Sequence, residues 1–398
     1  MKIGQSQDFD LAYCSNVYRG EDWTTVFNNL KHFLPELKDS LAPHNPFGVG
    51  LRLSSHAVDS LVDPGVLKVF KEWLFENEFY VTTINAFPYG DFHGTSVKDR
   101  VYMPDWTTLR RRDYSLKIMQ VLAELTPPGE ECGFSTVPLS YKYWLSKGQM
   151  QATYQQCVLH ISELAVAMST IYDATQTLIH MDIEPEPDCL IETMDELIAF
   201  FDQWLIPEGS VYVAQRKKIS LEQAEYLLRR HIQVCYDICH SSVEFEKPTE
   251  TFNKLVKADI GIGKIQVSSA LRCEFNSNTA EVLENLNEFV DSTYLHQVIE
   301  HHADNTLTHK GDLAHQDSIA SDIDEVRVHF HVPIFLDRYG LLNSTQNDII
   351  EMLHLLQQNK LTKHLEIETY TWEVLPPSMR LDLRSSIERE YRWVINHF

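Results

Sequence analysis

Leu178-Ile179-His180-Met181-Asp182-Ile183-Glu184-Pro185-Glu186-Pro187 reads as an apolar, strand-like run that ends on a carboxylate. The pattern returns further along the chain. Cys235-Tyr236-Asp237-Ile238-Cys239-His240, Lys264-Ile265-Gln266-Val267-Ser268 and Leu365-Glu366-Ile367-Glu368-Thr369 each end an apolar run on a residue of metal-ligand type. Helix-like stretches separate most of them. Side chains far apart in sequence that all sit at strand ends can meet at one mouth of a β/α barrel. Glu184, Asp237, Gln266 and Glu368 are therefore the candidate set for a divalent-metal site handling a polar, sugar-like compound.

The same alternation extends outward from these segments. Leu11 to Asn16 reads as a first strand, followed by a helix pattern from Trp23 to Leu37 with Glu21 and Asp22 near its start. Phe47 to Leu53 is a second strand and Tyr80 to Asn85 a β-branched third. A long loop spans Ala86 to Trp106, then a helix covers Tyr114 to Leu125. Gly133 to Val137 is a fourth strand, and a long helix runs from about Gln149 to Tyr172. Leu178 to Glu184 is the fifth strand. A helix after Thr193 ends near Leu205, and another spans Ser220 to Arg230. Gln233 to Asp237, Ile262 to Val267 and His364 to Glu368 complete eight βα-like units. Right-handed crossovers would close them into an α/β (β/α)8 TIM barrel.

The regularity breaks between Ala270 and Leu341, where Tyr294 to Val298 and Val326 to Pro333 look extended. The simplest account is an insertion after the seventh strand (residues 270–341), such as a hairpin over the barrel mouth. The other account makes Val326 to Phe335 a barrel strand and demotes another run. The insertion is preferred, which leaves residues 1–398 as a single domain.

Composition narrows the function classes. The chain has 398 residues, 43% of them hydrophobic, enough for a large core. No apolar run approaches the roughly 18 residues of a membrane span, and Met1 to Asp8 lacks a hydrophobic signal region. A cytoplasmic location follows as the default expectation. The seven cysteines are scattered and include no Cys-x-x-Cys pair, so a zinc ribbon is not expected. Cys235 and Cys239 read as small core residues. A formal net charge of −23 repels phosphate backbones and anionic membranes, which disfavours nucleic acid as a partner.

Hard divalent cations take carboxylate oxygens, and imidazole or amide donors widen the choice to Mn, Zn or Fe besides Mg. Glu184 and Glu368, on opposite sides of a barrel mouth, can bind one metal or act as paired acid and base beside a substrate carbon. Asp237 and His240 form a D-x-x-H spacing just past a strand. His240 can contact a substrate oxygen or orient the Asp. His329 and His331 alternate on an extended segment and so face one side. His331 can complete a metal shell if the insertion folds back, and a packed histidine pair is the alternative.

The loop Asn85-Ala86-Phe87-Pro88-Tyr89-Gly90-Asp91-Phe92-His93-Gly94 is richer than a connection needs. Asn85, Tyr89 and His93 can bond hydroxyls, and Phe87 or Phe92 can wall a sugar. Lys98 and Arg100 can meet an anionic group. A turn ordered by Pro88 and Gly90 explains the same residues without a ligand. Glu186 and Glu192 can bond a substrate hydroxyl, though Glu192 also suits a helix start. Ser268 can donate to a phosphate or hydroxyl, or cap a turn. Glu366 faces the same way as Glu368 and can sit lower in the barrel as an ion partner.

At Glu184-Pro185, Asp237 to His240 and Glu368 the chain resembles the xylose isomerase-like barrel superfamily, which includes sugar isomerases, ketose 3-epimerases and an apurinic endonuclease. Further strings resemble the EboE family of metabolite-traffic proteins encoded by bacterial ebo clusters: Phe47 to Leu53, Asn85 to Gly90, Phe92-His93-Gly94, Glu184 to Pro187, Cys235-Tyr236-Asp237, Ile265 to Leu271 and Phe330 to Pro333. The resemblance implies a xylose isomerase-type fold. It also implies an isomerase or epimerase acting on a small polar metabolite within secondary metabolism, with other ebo-cluster proteins as partners. It implies metal binding by Glu184, Asp237 and Glu368. The seventh-strand ligand of the superfamily is commonly His; here Gln266 stands there, a weaker donor. That departure leaves open a binding protein that does no catalysis. The −23 charge and a single rather than triple metal set argue against the endonuclease branch.

Overall fold

The computed structural model describes residues 1–90, 92, 97–275, 278–373, 375, 380 and 382–398. Eight parallel strands form the barrel: β2 (Phe9–Tyr13), β3 (Phe47–Arg52), β4 (Phe79–Asn85), β5 (Glu131–Thr136), β6 (Leu178–Ile183), β7 (Ile232–Asp237), β8 (Ile262–Val267) and β15 (His364–Ile367). A short β1 (Lys2–Ile3) pairs antiparallel with β2. The sheet runs β1-β2-β15-β8-β7-β6-β5-β4-β3. β2 and β3 complete the circle through a bridge between Cys14 and Gly50. The approach there is close: a Cβ on Gly50 would stand 2.5 Å from the Tyr13 carbonyl oxygen and 2.7 Å from Glu366 Oε2. A side chain at that position would pry the seam apart.

Helices cover the barrel with their apolar stripes turned inward. The Trp23–Leu41 helix is capped by Asp22, whose carboxylate accepts from the Thr25 N–H, and buries Val26, Leu30, Leu34 and Leu37. Thr193 with Glu196, and Ser220 with Gln223, form reciprocal capping boxes. The helical run after Thr193 passes Leu205, where the sequence pattern ends it, and continues to Lys217. Pro207 lies within a π-helical stretch, Phe201–Gly209, and that wider winding carries the chain past a residue lacking an amide donor.

The segment after β8 holds β9 (Leu271–Glu274), β10 (Gln297–His302), β11 (Leu307–Asp312), β12 (Ile323–Val328), β13 (Arg338–Tyr339) and β14 (Leu342–Ser344). They form one antiparallel sheet in the order β11-β10-β12-β9-β14-β13, with a helix at Thr279–Asn287. This is larger than a hairpin. The alternative in which Val326 to Phe335 joins the barrel is overturned, because β12 pairs with β9 and β10 and the chain leaves the strand after Val328. Its continuation returns to the barrel mouth, where the Val332 N–H donates to Ser269 O at 3.0 Å. Among the described residues no helix is long and apolar enough to cross a membrane. All seven cysteines are buried and unpaired, their thiols pushed up by burial.

Candidate metal centre at the barrel mouth

Alternation along the strands points every second side chain into the barrel. On β15 this faces Glu366 inward, with Glu368 one step higher just past the strand end. On β8 it faces Lys264 and Gln266 inward. The register sets Gln266 beside Asp237 on one side and Glu366 on the other. Lys264 Nζ bonds Ser135 Oγ at 3.1 Å and Glu366 Oε1 at 3.2 Å, all wholly buried. Thr83 Oγ1 donates to Glu366 Oε2 at 2.9 Å. A polar, charge-paired layer therefore underlies the mouth, with Glu366 as its buried ion partner.

Above it Glu184, Asp237 and Glu368 converge. One oxygen of each lies within 4.8 Å of the others, and all three side chains are buried. Among the described residues, Glu184 Oε2 and Asp237 Oδ2 have no hydrogen-bond partner. Three carboxylates this close repel one another, and orphaned buried oxygens are costly. A divalent cation satisfies both demands, so these residues fit one. Hard oxygen donors suit Mg or Mn, and an added imidazole extends the range to Zn or Fe.

Burial pushes the Glu184 carboxyl up to about 7, with Asp237 and Glu186 adding to it and His240 and Lys264 opposing. Burial likewise lifts Glu186 to about 8 and Glu368 well above the usual range, the latter with help from Glu184 and Asp237. Asp237 differs. Burial would raise it, but His240, His331 and a bond from Ser268 hold it below its ordinary value.

The imidazoles come from two directions. His240 Nδ1 donates to Pro185 O at 2.9 Å, which turns Nε2 toward Asp237 Oδ2 at 3.8 Å. His331 Nδ1 donates to Glu368 O at 2.8 Å. His329 Nδ1 meets Gln297 Oε1 at 2.8 Å, an assignment fixed because Gln297 Nε2 donates to Tyr102 Oη and Pro187 O. His329 and His331 then present bare Nε2 atoms to each other 3.2 Å apart. Burial holds His331 down at about 4 and His329 well below its ordinary value, so both rings are neutral near pH 7. Two facing lone pairs at that distance call for a shared proton or cation.

The cavity above is walled by Phe87, Phe92, Tyr294 and Tyr370. About 50 Å³ is free, room for an ion with its waters.

The structure brings together Glu184, Asp237, Glu368, His331, His240 and Asn85. Gln266 lies beneath them, wholly buried, with neither amide atom partnered among the described residues. Asn85 Nδ2 donates to Glu368 Oε1 at 2.9 Å. Ser268 Oγ is occupied within the barrel, donating to Asp237 Oδ1 at 2.7 Å and accepting from the Cys239 N–H at 2.9 Å. Tyr89 is not in the cavity wall; it packs on Tyr114 with ring centroids 5.1 Å apart. Glu192 also stands aside, paired with Lys142 and accepting from the Asp188 N–H. His93 lies outside the described residues. Lys98 reaches the cavity wall but its ammonium is tied to Asp312, Asp291 O and Tyr294 O.

Several mouth residues escaped the sequence reading. Asn16, at the end of the first strand pattern, donates from Nδ2 to Glu368 Oε1 at 2.7 Å. Its strand-end position was the available signal. Tyr102 donates to Glu186 Oε1 at 2.6 Å. Gln297 and Tyr370 arrive from the insertion and from the turn after β15, with no local pattern to mark them.

No family model and no curated protein sequence matches the chain. Solved structures do. A xylose isomerase-like TIM barrel protein from Mycobacterium smegmatis, in complex with magnesium, aligns over 98% of this chain and 96% of its own at TM-score 0.51 and 9% identity. The fold is that of the xylose isomerase-like barrels. A D-tagatose 3-epimerase-like protein aligns over 97% and 98% at TM-score 0.48 and 14% identity. The IOLI protein with a bound zinc atom aligns over 98% and 97% at 0.47 and 10%. The finer resemblance to EboE-like proteins rests on the sequence strings alone.

Proposed function

We propose that the protein is a divalent-metal-dependent isomerase or epimerase of a small polyhydroxylated compound. The observation that carries this is the convergence of Glu184, Asp237 and Glu368 within 4.8 Å at the buried mouth. A metal held by these carboxylates, with His331 or the amide oxygen of Gln266 as a further donor, would polarise a substrate carbonyl or hydroxyl oxygen. Glu184 and Glu368 flank the position of the reacting carbon. One carboxylate of this pair would take the proton beside the carbonyl and the other would return one from the opposite side. Burial lifts both carboxyls above their usual range in the metal-free site, toward the pH where a general acid–base group works best. Asp237 stays ionised as a fixed anchor. Asn16 and Asn85 hold Glu368 by a shared oxygen. His240 orients substrate oxygens, and the aromatic wall excludes water. Admitting a sugar requires Tyr370 or Phe92 to move outward from the ion-sized space.

The test is deuterium exchange. Purified protein supplied with Mg, Mn or Zn in heavy water is incubated with a panel of aldoses and ketoses. Wash-in of deuterium next to the carbonyl is followed by NMR. The expectation is metal-dependent exchange with at least one compound, lost in Glu184→Gln and Glu368→Gln. Protein that binds no metal and exchanges nothing removes the proposal.

A second reading, favoured by Gln266 at a position commonly held by His, is a binding protein that carries a polar metabolite for partner proteins, as the EboE-like strings imply. It predicts ligand binding that survives Glu368→Gln. Both readings treat residues 1–398 as one cytoplasmic domain with an inserted sheet at the mouth.

A further inference from the structure

The opposite, N-terminal face of the barrel holds a second cluster that plays no part in the proposed reaction. His180, on β6, bonds Asp182 Oδ1 through Nδ1 at 2.6 Å, and both side chains are wholly buried. That bond leaves His180 Nε2 without a hydrogen-bond partner among the described residues, facing Glu131 Oε1 at 3.6 Å. His364, on β15, stands alongside with its ring centroid 5.8 Å away. It is 1% exposed, and neither of its nitrogens has a hydrogen-bond partner among the described residues. One ligand atom each from Glu131, His180 and His364 falls within 4.8 Å of the others.

The neighbouring strands make room for this group. A Cβ on Gly133 of β5 would lie 2.1 Å from the His180 ring, and one on Gly263 of β8 would lie 2.0 Å from Asp182 Oδ1. Two strands have thus given up side chains where the His–Asp pair fills the barrel. Hydrogen bonding and charge explain only part of the arrangement. An imidazolium clasped between Asp182 and Glu131 accounts for His180, but it leaves both His364 nitrogens bare in the interior. A buried polar group without a partner needs an explanation, and a bound ion supplies one.

We propose that Glu131, His180 and His364 form a zinc-class metal site on the N-terminal face, with Asp182 as the carboxylate that orients His180. Two imidazole nitrogens and one carboxylate oxygen match a borderline ion such as zinc. A carboxylate on the far nitrogen of a ligating histidine is the usual way its tautomer and direction are fixed. Three protein ligands leave a fourth position for water. Of the three ligands, Glu131 lines a cleft of about 850 Å³ together with Lys363 and Tyr80, which gives an ion a route in from that side. Lys363 pairs with the other Glu131 oxygen at 3.4 Å, leaving Oε1 to the ion. The site would tie β5 and β6 to β15 across the barrel. The N-terminal face of such barrels serves stability rather than chemistry, and a clamp there fits that role.

The test uses full-length protein with the mouth disabled by Glu184→Gln and Asp237→Asn, stripped with a chelator and titrated with zinc chloride against a chromophoric competitor. One zinc per chain is expected, with a rise in melting temperature, and cobalt should give the visible bands of a low-coordinate nitrogen–oxygen site. Adding Glu131→Gln should weaken binding at least about tenfold. Glu131 is partly exposed, so this variant keeps its fold, which circular dichroism checks. Should the mouth variants not fold, the same Glu131→Gln substitution in wild-type protein should remove or weaken one equivalent from the total bound. No zinc on the parent, or an affinity unmoved by Glu131→Gln, overturns the proposal.

Discussion

Lys264 Nζ lies 3.2 Å from Glu366 Oε1, both side chains wholly buried one step beneath the carboxylates of the mouth. A lone ammonium there would be costly, so the pair exists as a unit with Ser135 and Thr83 completing its bonds. Its positive end also opposes the rise in the Glu184 and Glu368 carboxyls. Lys264→Met strands Glu366 inside the barrel. It is expected to cost about 3–5 kcal/mol in urea unfolding, the usual penalty for breaking a buried ion pair from one side. A loss under about 1 kcal/mol, the value of an exposed pair, would mean the pair is hydrated.

The raised carboxyls fix a pH dependence. Glu184 and Glu186 have folded values of about 7 and about 8 against ordinary values of 4.5, and Glu368 is raised as well. The folded state therefore binds more protons than the unfolded chain between those limits. Their contribution is full below the ordinary value and is lost as pH rises through 7 to 8. Metal-free protein should be less stable at pH 8 than at pH 5, by on the order of 3 kcal/mol from Glu184 alone. Asp291, held at about 2, acts oppositely and below pH 4. Denaturant midpoints across this range measure the slope, which Glu184→Gln should flatten and saturating metal should reverse.

Glu368 Oε1 accepts from both Asn16 and Asn85. Removing either donor frees the carboxylate to swing away from the other ligands. Asn85→Ala and Asn16→Ala should each lower metal affinity about 10–100-fold, typical of groups that orient a ligand. Isothermal titration with Mn or Zn reads this directly, and unchanged affinity would show that Glu368 is placed by the backbone alone.

Gly263→Ala tests the crowding on the N-terminal face. The added methyl would meet Asp182 Oδ1 at 2.0 Å, and the obstacle is a buried, bonded carboxylate rather than a flexible side-chain end. A stability loss of about 1–3 kcal/mol is expected from overpacking, together with weaker zinc binding at His180. Thermal melts with and without zinc separate the two effects.

Much of the barrel was legible in the chain. The strand pattern from Leu178 to Glu184 and its repeats located the strands, because period-2 burial and β-branched residues are local signals. The same logic placed Glu184, Asp237 and Glu368 at strand ends. It left Ser268 and Tyr89 open between a substrate contact and a structural role, and only the fold supplies their neighbours: Ser268 holds Asp237, and Tyr89 packs on Tyr114. It read the insertion as a hairpin, since antiparallel partners such as Val298 and Val328 are joined by register and not by any short turn signal.

The sequence by itself determined that eight strand–helix units alternate and that carboxylates stand at the ends of several strands. Those are properties of neighbouring residues, and hydrophobic periodicity records them. Only the tertiary structure decided which side chains share a space. It set His329 against His331 at 3.2 Å, drew Asn16 to Glu368 across 352 positions, and joined Glu131, His180 and His364 on the face away from the mouth. Such meetings depend on barrel closure and strand register. A one-residue slip in register would turn these inward residues out of the barrel.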